Sequence, residues 1–300
     1  MMPVMPKRKP STLAWLRAKL ERIDAAEIVR TESARLLRLV HRLPSEARAK
    51  VQGELAKTLV REPFRIDTPK GPLLFAVLGD TSAFRARGLL TKQRGTIEWI
   101  DGFQPGTVFW DIGANIGSYA LYAALNRDLH VVAFEPAAVN HFLLTANCEL
   151  NGFGDRLDCL QLGVGDGTRL GRLNVSQFEP ALSFSFKTKG HRPSSSRQAA
   201  LIVSMDQLVE QFGLPCPTYI KIDVPAMTEA IIEGGARTLQ RPEVRELHVE
   251  ASETSLGGRR LVQRLTELGF QISARHVRKD TTDLTLAKTL VATGAKPVGA

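Results

Sequence analysis

The apolar positions of this chain change period along its length, and each change marks a different kind of element. From Ser11 to about Leu59 they recur at helical spacing. Ser11 or Thr12 can cap a first helix over 13–23, and a second is predicted over 25–43, stopping before Pro44. A third starts at Ser45, with Gly53 as its weak point. In the second helix Val29, Leu36, Leu39 and Leu43 approximate a seam interrupted by Glu32, enough for packing against a neighbour over two to three heptads. Residues 63–80 read as a hairpin or two short strands around Pro69-Lys70-Gly71-Pro72. Lys92 to Phe103 then puts Ile97, Trp99, Ile100 and Phe103 on one helical face.

After the turn at Pro105-Gly106 the pattern alternates regularly. Strands are predicted over 107–112, 130–135, 157–164, 218–224 and 245–251, with a final pair near 270–288. Helices are predicted over 117–126, 138–150, 205–212, 227–240 and 257–268. A hairpin with arms 169–175 and 200–204 interrupts this order. Strands alternating with helices give the α/β class, with a mostly parallel sheet covered on both faces. Residues 178–199 break the pattern; Lys187, Lys189, His191, Arg192 and Arg197 surround Pro193-Ser194-Ser195-Ser196, either as solvated charge or as a segment that meets an anionic acceptor. The chain therefore divides into a helical extension (1–61), a lead-in hairpin and helix (62–106), a doubly wound domain (107–290) and a tail (291–300).

Composition refines this little, except for charge. Hydrophobic residues make up 43% and charged ones 24%, ordinary for a globular protein. No apolar run approaches the ~20 residues of a membrane span, and Met1 to Pro10 carries Lys7, Arg8 and Lys9 without a following apolar stretch. A cytoplasmic protein is expected. Cys148, Cys159 and Cys216 are scattered without metal-ligand spacing, so no metal site is expected and the thiols suit a reducing compartment. The net charge of +9 is concentrated: residues 1–61 hold 14 Lys/Arg against 6 Asp/Glu, and the remainder 26 against 25. The extension can thus meet an anionic partner or membrane surface, or simply present a solvated face. A homo-oligomer stays open.

The chemistry gathers in one stretch. Val108-Phe109-Trp110-Asp111-Ile112 leads into the turn Gly113-Ala114-Asn115-Ile116-Gly117, a helix follows, and a second strand ends in Glu135-Pro136. This order is how doubly wound folds hold a nucleoside, the glycines letting backbone approach the ligand. Glu135 stands 24 residues after Asp111, near the interval of the carboxylate that takes ribose hydroxyls. The turn is Asp-x-Gly-x-x-x-Gly and lacks the second close glycine that a pyrophosphate requires. Asp111 in front of it repels an anion and favours an ammonium or sulfonium, which counts against a nicotinamide oxidoreductase and for S-adenosylmethionine. Asp111 is then expected to orient the cofactor's ammonium, directly or through water, Gly113, Ala114 and Gly117 to keep the wall flat, and Asn115 to offer an amide to the methionine part. Glu135 can accept both ribose hydroxyls. Asn140 is placed to fix the next turn, and Asp166, in Gly165-Asp166-Gly167, to take the adenine amino group or to serve only as a turn residue.

Four blocks between about residues 95 and 252 carry a resemblance to the FkbM family of methyltransferases. They are Trp-Asp-Ile-Gly-Ala-Asn-Ile-Gly at 110–117, Ala-Phe-Glu-Pro-x-x-x-Asn at 133–140, Asn147 through Asn151-Gly152, and Tyr-Ile-Lys-Ile-Asp-Val at 219–224. The resemblance implies a Rossmann-like seven-stranded methyltransferase sheet. It also implies methyl transfer from S-adenosylmethionine to a hydroxyl of a sugar, glycan or secondary metabolite. At the ends of the fourth and fifth strands Asp223 and Glu250 are the candidate bases, with Lys221 on the same face as Asp223 as its ion-pair partner. The family continues with an acid, a glycine, a small or apolar residue and a glutamate, where this chain has Pro225-Ala226-Met227-Thr228. Two readings follow, a remodelled acceptor site or a methyltransferase fold kept for binding or scaffolding with catalysis impaired. Nucleic acid is disfavoured as a partner, because three Trp and three Tyr leave few rings for stacking and no aromatic RNA-binding strand is seen.

Overall fold

In a computed structural model the described residues are 25–175, 180–183, 196–224, 227–251, 253, 255–277 and 282–288. The chain divides into two units between Thr58 and Leu59. The first holds helix α1 (Ala25–Arg42) and most of α2 (Ser45–Arg61). Leu36 and Leu39 of the expected seam are exposed. The helix predicted over 13–23 lies outside the described residues. Among the described residues no helix is long and apolar enough to cross a membrane.

The second unit opens with the antiparallel hairpin β1 (Phe64–Thr68) and β2 (Gly71–Phe75), followed by α3 (Asp80–Arg87) and α4 (Arg94–Asp101). Then come β3 (Val108–Ile112), α5 (Ser118–Ala124), β4 (His130–Phe134), α6 (Ala138–Leu150), β5 (Leu157–Leu160), β6 (Gly163–Gly165), β7 (Arg169–Val175) and β8 (Ser196–Ser204). The chain continues through α7 (Met205–Glu210), β9 (Tyr219–Ile222), α8 (Thr228–Glu233), α9 (Ala236–Gln240), β10 (Glu246–Glu250), α10 (Leu256–Glu267), β11 (Phe270–Val277) and β12 (Thr282–Lys288).

Seven of these strands form the main sheet, in the order β11-β12-β10-β9-β3-β4-β5. Within it β12 alone, among the described strands, runs antiparallel to its neighbours. The period of 2 along each strand sorts side chains to two cores. Phe109, Val131, Ala133 and Tyr219 face one side, with Leu121, Tyr122, Leu143 and Trp99. Trp110, Ile112, Val132, Phe134, Ile220 and Ile222 face the other, with Ile231, Leu239, Leu261 and Leu265. The α/β class and the seven-stranded sheet are as the sequence predicts.

Three predicted elements differ in their bounds. The strand expected over 157–164 is two, because the chain turns at Leu162, whose N–H reaches the Leu160 carbonyl, and β6 joins a second sheet of order β6-β8-β7. The helix expected over 227–240 is also two. Gly234 and Gly235 interrupt it where a Cβ would collide with the Gly165 carbonyl and the end of Met205. The second arm of the hairpin begins at Ser196, earlier than expected, and Arg197 belongs to it. Lys187, Lys189, His191 and Arg192 lie outside the described residues.

The lead-in segment is stitched to the doubly wound part by two asparagines of α6 and its C-terminal end. Asn147, fully buried, accepts from Ala76 N (2.6 Å) and donates to the Ile116 carbonyl (2.9 Å). Asn151 accepts from Leu74 N (2.9 Å) and donates to the Leu74 carbonyl (2.7 Å), as an added strand would. Further on, α4 docks on β10: Thr96 Oγ1 lies 3.0 Å from His248 Nε2, and Trp99 Nε1 donates to Glu246 (2.7 Å). Replacing Asn147 by alanine strands two buried backbone groups at about 1–3 kcal/mol each. Asn147→Ala should lower unfolding stability by about 2–5 kcal/mol in a urea titration; a loss under about 1 kcal/mol would reject this role.

Candidate active site

The site lies where β3 separates β4 on one side from β9 on the other, at the carboxyl ends of the parallel strands. Ligands bind there in open α/β sheets. A cavity of about 510 Å³ opens at this point, within the ~300–1,000 Å³ of small-molecule sites. Its floor is set by register. Phe109 pairs with Tyr219 and Asp111 with Lys221, so a carboxylate and an ammonium meet between neighbouring strands on one face. Lys221 Nζ donates to Asp111 Oδ1 at 3.2 Å and to Asp223 Oδ2 at 3.4 Å, and stands 5.0 Å from the centre of the Tyr119 ring. Burial pulls the Lys221 pKa down, but Asp111 and then Asp223 outweigh it and lift it above the ordinary lysine value. Lys221 is therefore a fixed cation. It is not Asp223's partner alone, as expected, but is shared with Asp111.

Two residues further, Gly113 adopts φ of 85°, and a Cβ there would fall 2.7 Å from Val224 Cγ2 and 2.8 Å from the Asp223 carbonyl. Only glycine lets the turn lie this close to the end of β9. Glu135, just past β4, is 6% exposed. It accepts from Asn115 N (3.0 Å) with Oε2 and from Ala137 N (2.8 Å) with Oε1. Burial pushes its carboxyl up to about 7, against the pull of those N–H groups, Asn140 and Arg85. With about four acceptor sites, the carboxylate keeps capacity for a further donor.

Of the residues anticipated from sequence, Gly113, Ala114, Asn115, Glu135, Asn140, Lys221, Asp223 and Glu250 line the cavity together. Three stand apart. Asp111 is fully buried behind the wall, so its carboxylate faces Lys221 and not the cavity, and among the described residues its Oδ2 has no hydrogen-bond partner. Burial raises its pKa, opposed by Lys221. Gly117 uses its φ of 87° to begin α5 against Leu144, away from the lining. Asp166 turns to solvent and pairs with Arg169, which keeps its carboxyl below the usual range. The cavity edge at that level is formed instead by Leu162, Gly163 and Val164.

The two asparagines also bind residues 181–182, a contact that the sequence does not predict. Asn115, at φ 55°, accepts from Ile116 N (3.0 Å), and its amide donates to the Leu182 carbonyl (3.1 Å). Asn140 donates to the same carbonyl (3.0 Å) and accepts from Ala181 N (2.7 Å). Arg85 closes the far side, donating to the Ala181 carbonyl and to Ser183 Oγ (3.1 Å). Residues 181–183 are thus strapped over the glycine turn. In the segment that departs from the family pattern, Pro225 and Ala226 lie outside the described residues. Met227 lines the cavity, and Thr228 is buried with its hydroxyl donating to the Val224 carbonyl (3.1 Å). The sequence reading assigned no role to Arg85, Gln93, Tyr119 or Met227. For Met227 the spacing to Asp223 was a usable signal; for Gln93 there was none.

A family model, the methyltransferase FkbM domain, matches residues 111–272, more than half of the chain. The chain belongs to the FkbM methyltransferase family. As a member it is an S-adenosylmethionine-dependent methyltransferase. Among curated relatives, the hexuronic acid methyltransferase AglP of Haloferax volcanii is 26% identical over 182 residues, 60% of this chain and 72% of that protein. The 31-O-demethyl-FK506 methyltransferase FkbM of Streptomyces tacrolimicus is 25% identical over 233 residues, 69% of this chain and 88% of that protein. A solved magnesium protoporphyrin IX methyltransferase from Synechocystis PCC 6803, with S-adenosylmethionine bound, aligns at 11% identity and a TM-score of 0.44. It covers 71% of this chain and 86% of its own.

The cavity suits the cofactor of this FkbM methyltransferase: Gly113 leaves room that a Cβ would fill, and Glu135 retains acceptor capacity beside it. The central ion pair is testable by itself. Lys221→Met leaves Asp111 buried without its cation and should cost about 3–5 kcal/mol. In a double-mutant cycle followed by denaturant unfolding, adding Asp111→Asn to Lys221→Met should recover part of that loss. Simple additivity of the two would contradict the pairing.

Proposed function

We propose that this methyltransferase acts on a hydroxyl of a small-molecule or glycan acceptor, with Asp223 as the base. One observation carries the reading. Asp223 lines the cavity at the end of β9, against the glycine turn, and is held by a lysine that stays charged. An adjacent ammonium favours the carboxylate form that a base needs. When bound, the cofactor supplies a methyl activated by its sulfonium. The chain's own contribution is to position the groups and take up the acceptor's proton. Glu135 is assigned to the ribose hydroxyls, the backbone of 113–115 to the methionine chain, and Leu162 to Val164 to the adenine edge. Glu250, beyond Val249 on the neighbouring strand, is placed to orient the acceptor. Met227 gives that side of the cavity an apolar surface where the family has a small or apolar residue, and Thr228 keeps its hydroxyl on its own backbone. The relatives named for a hexuronic acid and for 31-O-demethyl-FK506 support an oxygen acceptor.

Two measurements test this. Hydrogen bonding from both ribose hydroxyls favours the ionised form of Glu135, and in the free protein that form is lost as the pH falls through about 7. Calorimetric affinity for S-adenosylhomocysteine should therefore weaken by up to about tenfold per pH unit below 7 and level off above it. Glu135→Gln should flatten the profile; a flat wild-type profile from pH 5.5 to 8 would remove the ribose assignment. For the acceptor side, turnover is measured on a panel of hydroxylated sugars, uronic acids and macrolactones. Asp223→Asn should cut it by roughly 100-fold, with S-adenosylhomocysteine affinity unchanged. Wild-type turnover that survives this substitution would exclude Asp223 as the base.

A further inference from the structure

The cofactor is an α-amino acid at one end, and the groups expected to meet that end are engaged elsewhere. Asp111 is sealed behind the wall, and the Asn115 amide holds the Leu182 carbonyl. A zwitterion in a half-buried cavity needs a cation for its carboxylate and an acceptor for its ammonium, since an unpaired charge there is strongly unfavourable.

Both are present on the lead-in stretch ahead of β3. Arg85, on α3, lines the cavity with its guanidinium largely removed from solvent, and burial lowers its pKa while Asp223 and Glu135 attract it through space. Its direct partners among the described residues are a carbonyl and a hydroxyl, both neutral, which leaves its charge without a contacting anion. Gln93, the residue before α4, also lines the cavity. It is 8% exposed, and its Oε1 has no hydrogen-bond partner among the described residues. A buried acceptor without a donor is destabilising unless a ligand supplies one. Its place is fixed by the docking of α4, whose Thr96 and Trp99 hold His248 and Glu246 of β10.

We propose that Arg85 and Gln93 together receive the α-amino-acid end of S-adenosylmethionine, Arg85 taking the carboxylate and Gln93 Oε1 the ammonium. This deepens the cofactor assignment and rests on it. Both residues precede the segment matched by the family model, so the amino-acid end would be read by residues ahead of that segment.

The test is calorimetry on the full chain with three probes. S-adenosylhomocysteine carries both charged groups, decarboxylated S-adenosylmethionine only the amine, and methylthioadenosine neither. Arg85→Gln should weaken S-adenosylhomocysteine by about tenfold or more, the scale of a charge-assisted pair. It should leave decarboxylated S-adenosylmethionine and methylthioadenosine within about twofold. Gln93→Leu should weaken the first two probes severalfold and spare methylthioadenosine. Ser183→Ala, which removes a contact of Arg85 without changing its charge, should leave all three unaltered. If Arg85→Gln fails to fold, Arg85→Lys must show the same selective loss, smaller in size. Unchanged S-adenosylhomocysteine affinity overturns the proposal, as does an equal loss for methylthioadenosine, which would make Arg85 only a brace for residues 181–183. Wild-type protein that binds none of the probes would instead defeat the cofactor site as a whole.

Discussion

The buried pairing of Lys221 with Asp111 is the constraint on which the rest of the site depends. An ammonium and a carboxylate removed from water are tolerated only in good geometry, and parallel register supplies it by placing the two residues side by side. The second carboxylate, Asp223, shares the same ammonium, so the end of β9 is tied to the middle of β3. Gly113 can then approach the Asp223 carbonyl, and the glycine turn and the candidate base hold a fixed separation. Tyr119 covers the ammonium from the first turn of α5, so the helix that follows the turn is oriented by the same charge.

Around that floor the walls come from three separate stretches of chain. The turn and the end of β4 supply Glu135 and the backbone of 113–115. The strap 181–183 is held by two asparagine amides converging on one carbonyl, that of Leu182. The lead-in stretch supplies Arg85 from α3 and Lys92 and Gln93 from the turn before α4. Each wall is braced by polar side chains bonded to backbone, which fixes loop positions without adding strands or helices.

The fold was legible because its signals are local. The near-continuous apolar runs of β3 and β4, the break at Pro105-Gly106 and the helix over 138–150 follow from residue order alone. Elements went astray where a distant part of the chain decided the outcome. Nothing local at 157–164 says that Leu162 will turn into another sheet, and Gly234-Gly235 breaks a helix because Gly165 and Met205 come near in space. The site divides in the same way. Gly113, Glu135 and Asp223 were recognisable as strand-end residues in a known order. The burial of Asp111 was not legible, because it depends on Lys221, 110 positions away. The bonds of Asn115 and Asn140 to Leu182 were not legible, because Leu182 reaches them from a segment with no apolar period. Arg85 and Gln93 gave no signal, since a lone arginine and a lone glutamine on short helical turns look like surface.

The position of β12 bears on how this chain can be taken apart. Residues 282–288 follow the segment that family likeness delimits, yet they lie between β10 and β11 in the sheet. Residues 74–76 precede that segment, yet they complete the hydrogen bonding of Asn147 and Asn151. A fragment cut at 111 and 272 would leave β10 with a bare edge of unpaired N–H and C=O groups, open to pairing with other chains. It would also leave Asn147 buried without its partner. A portion to be transplanted or fused must therefore include at least the stretch from the hairpin at Phe64 to Lys288. The boundaries of inherited likeness and of mechanical integrity do not coincide in this chain.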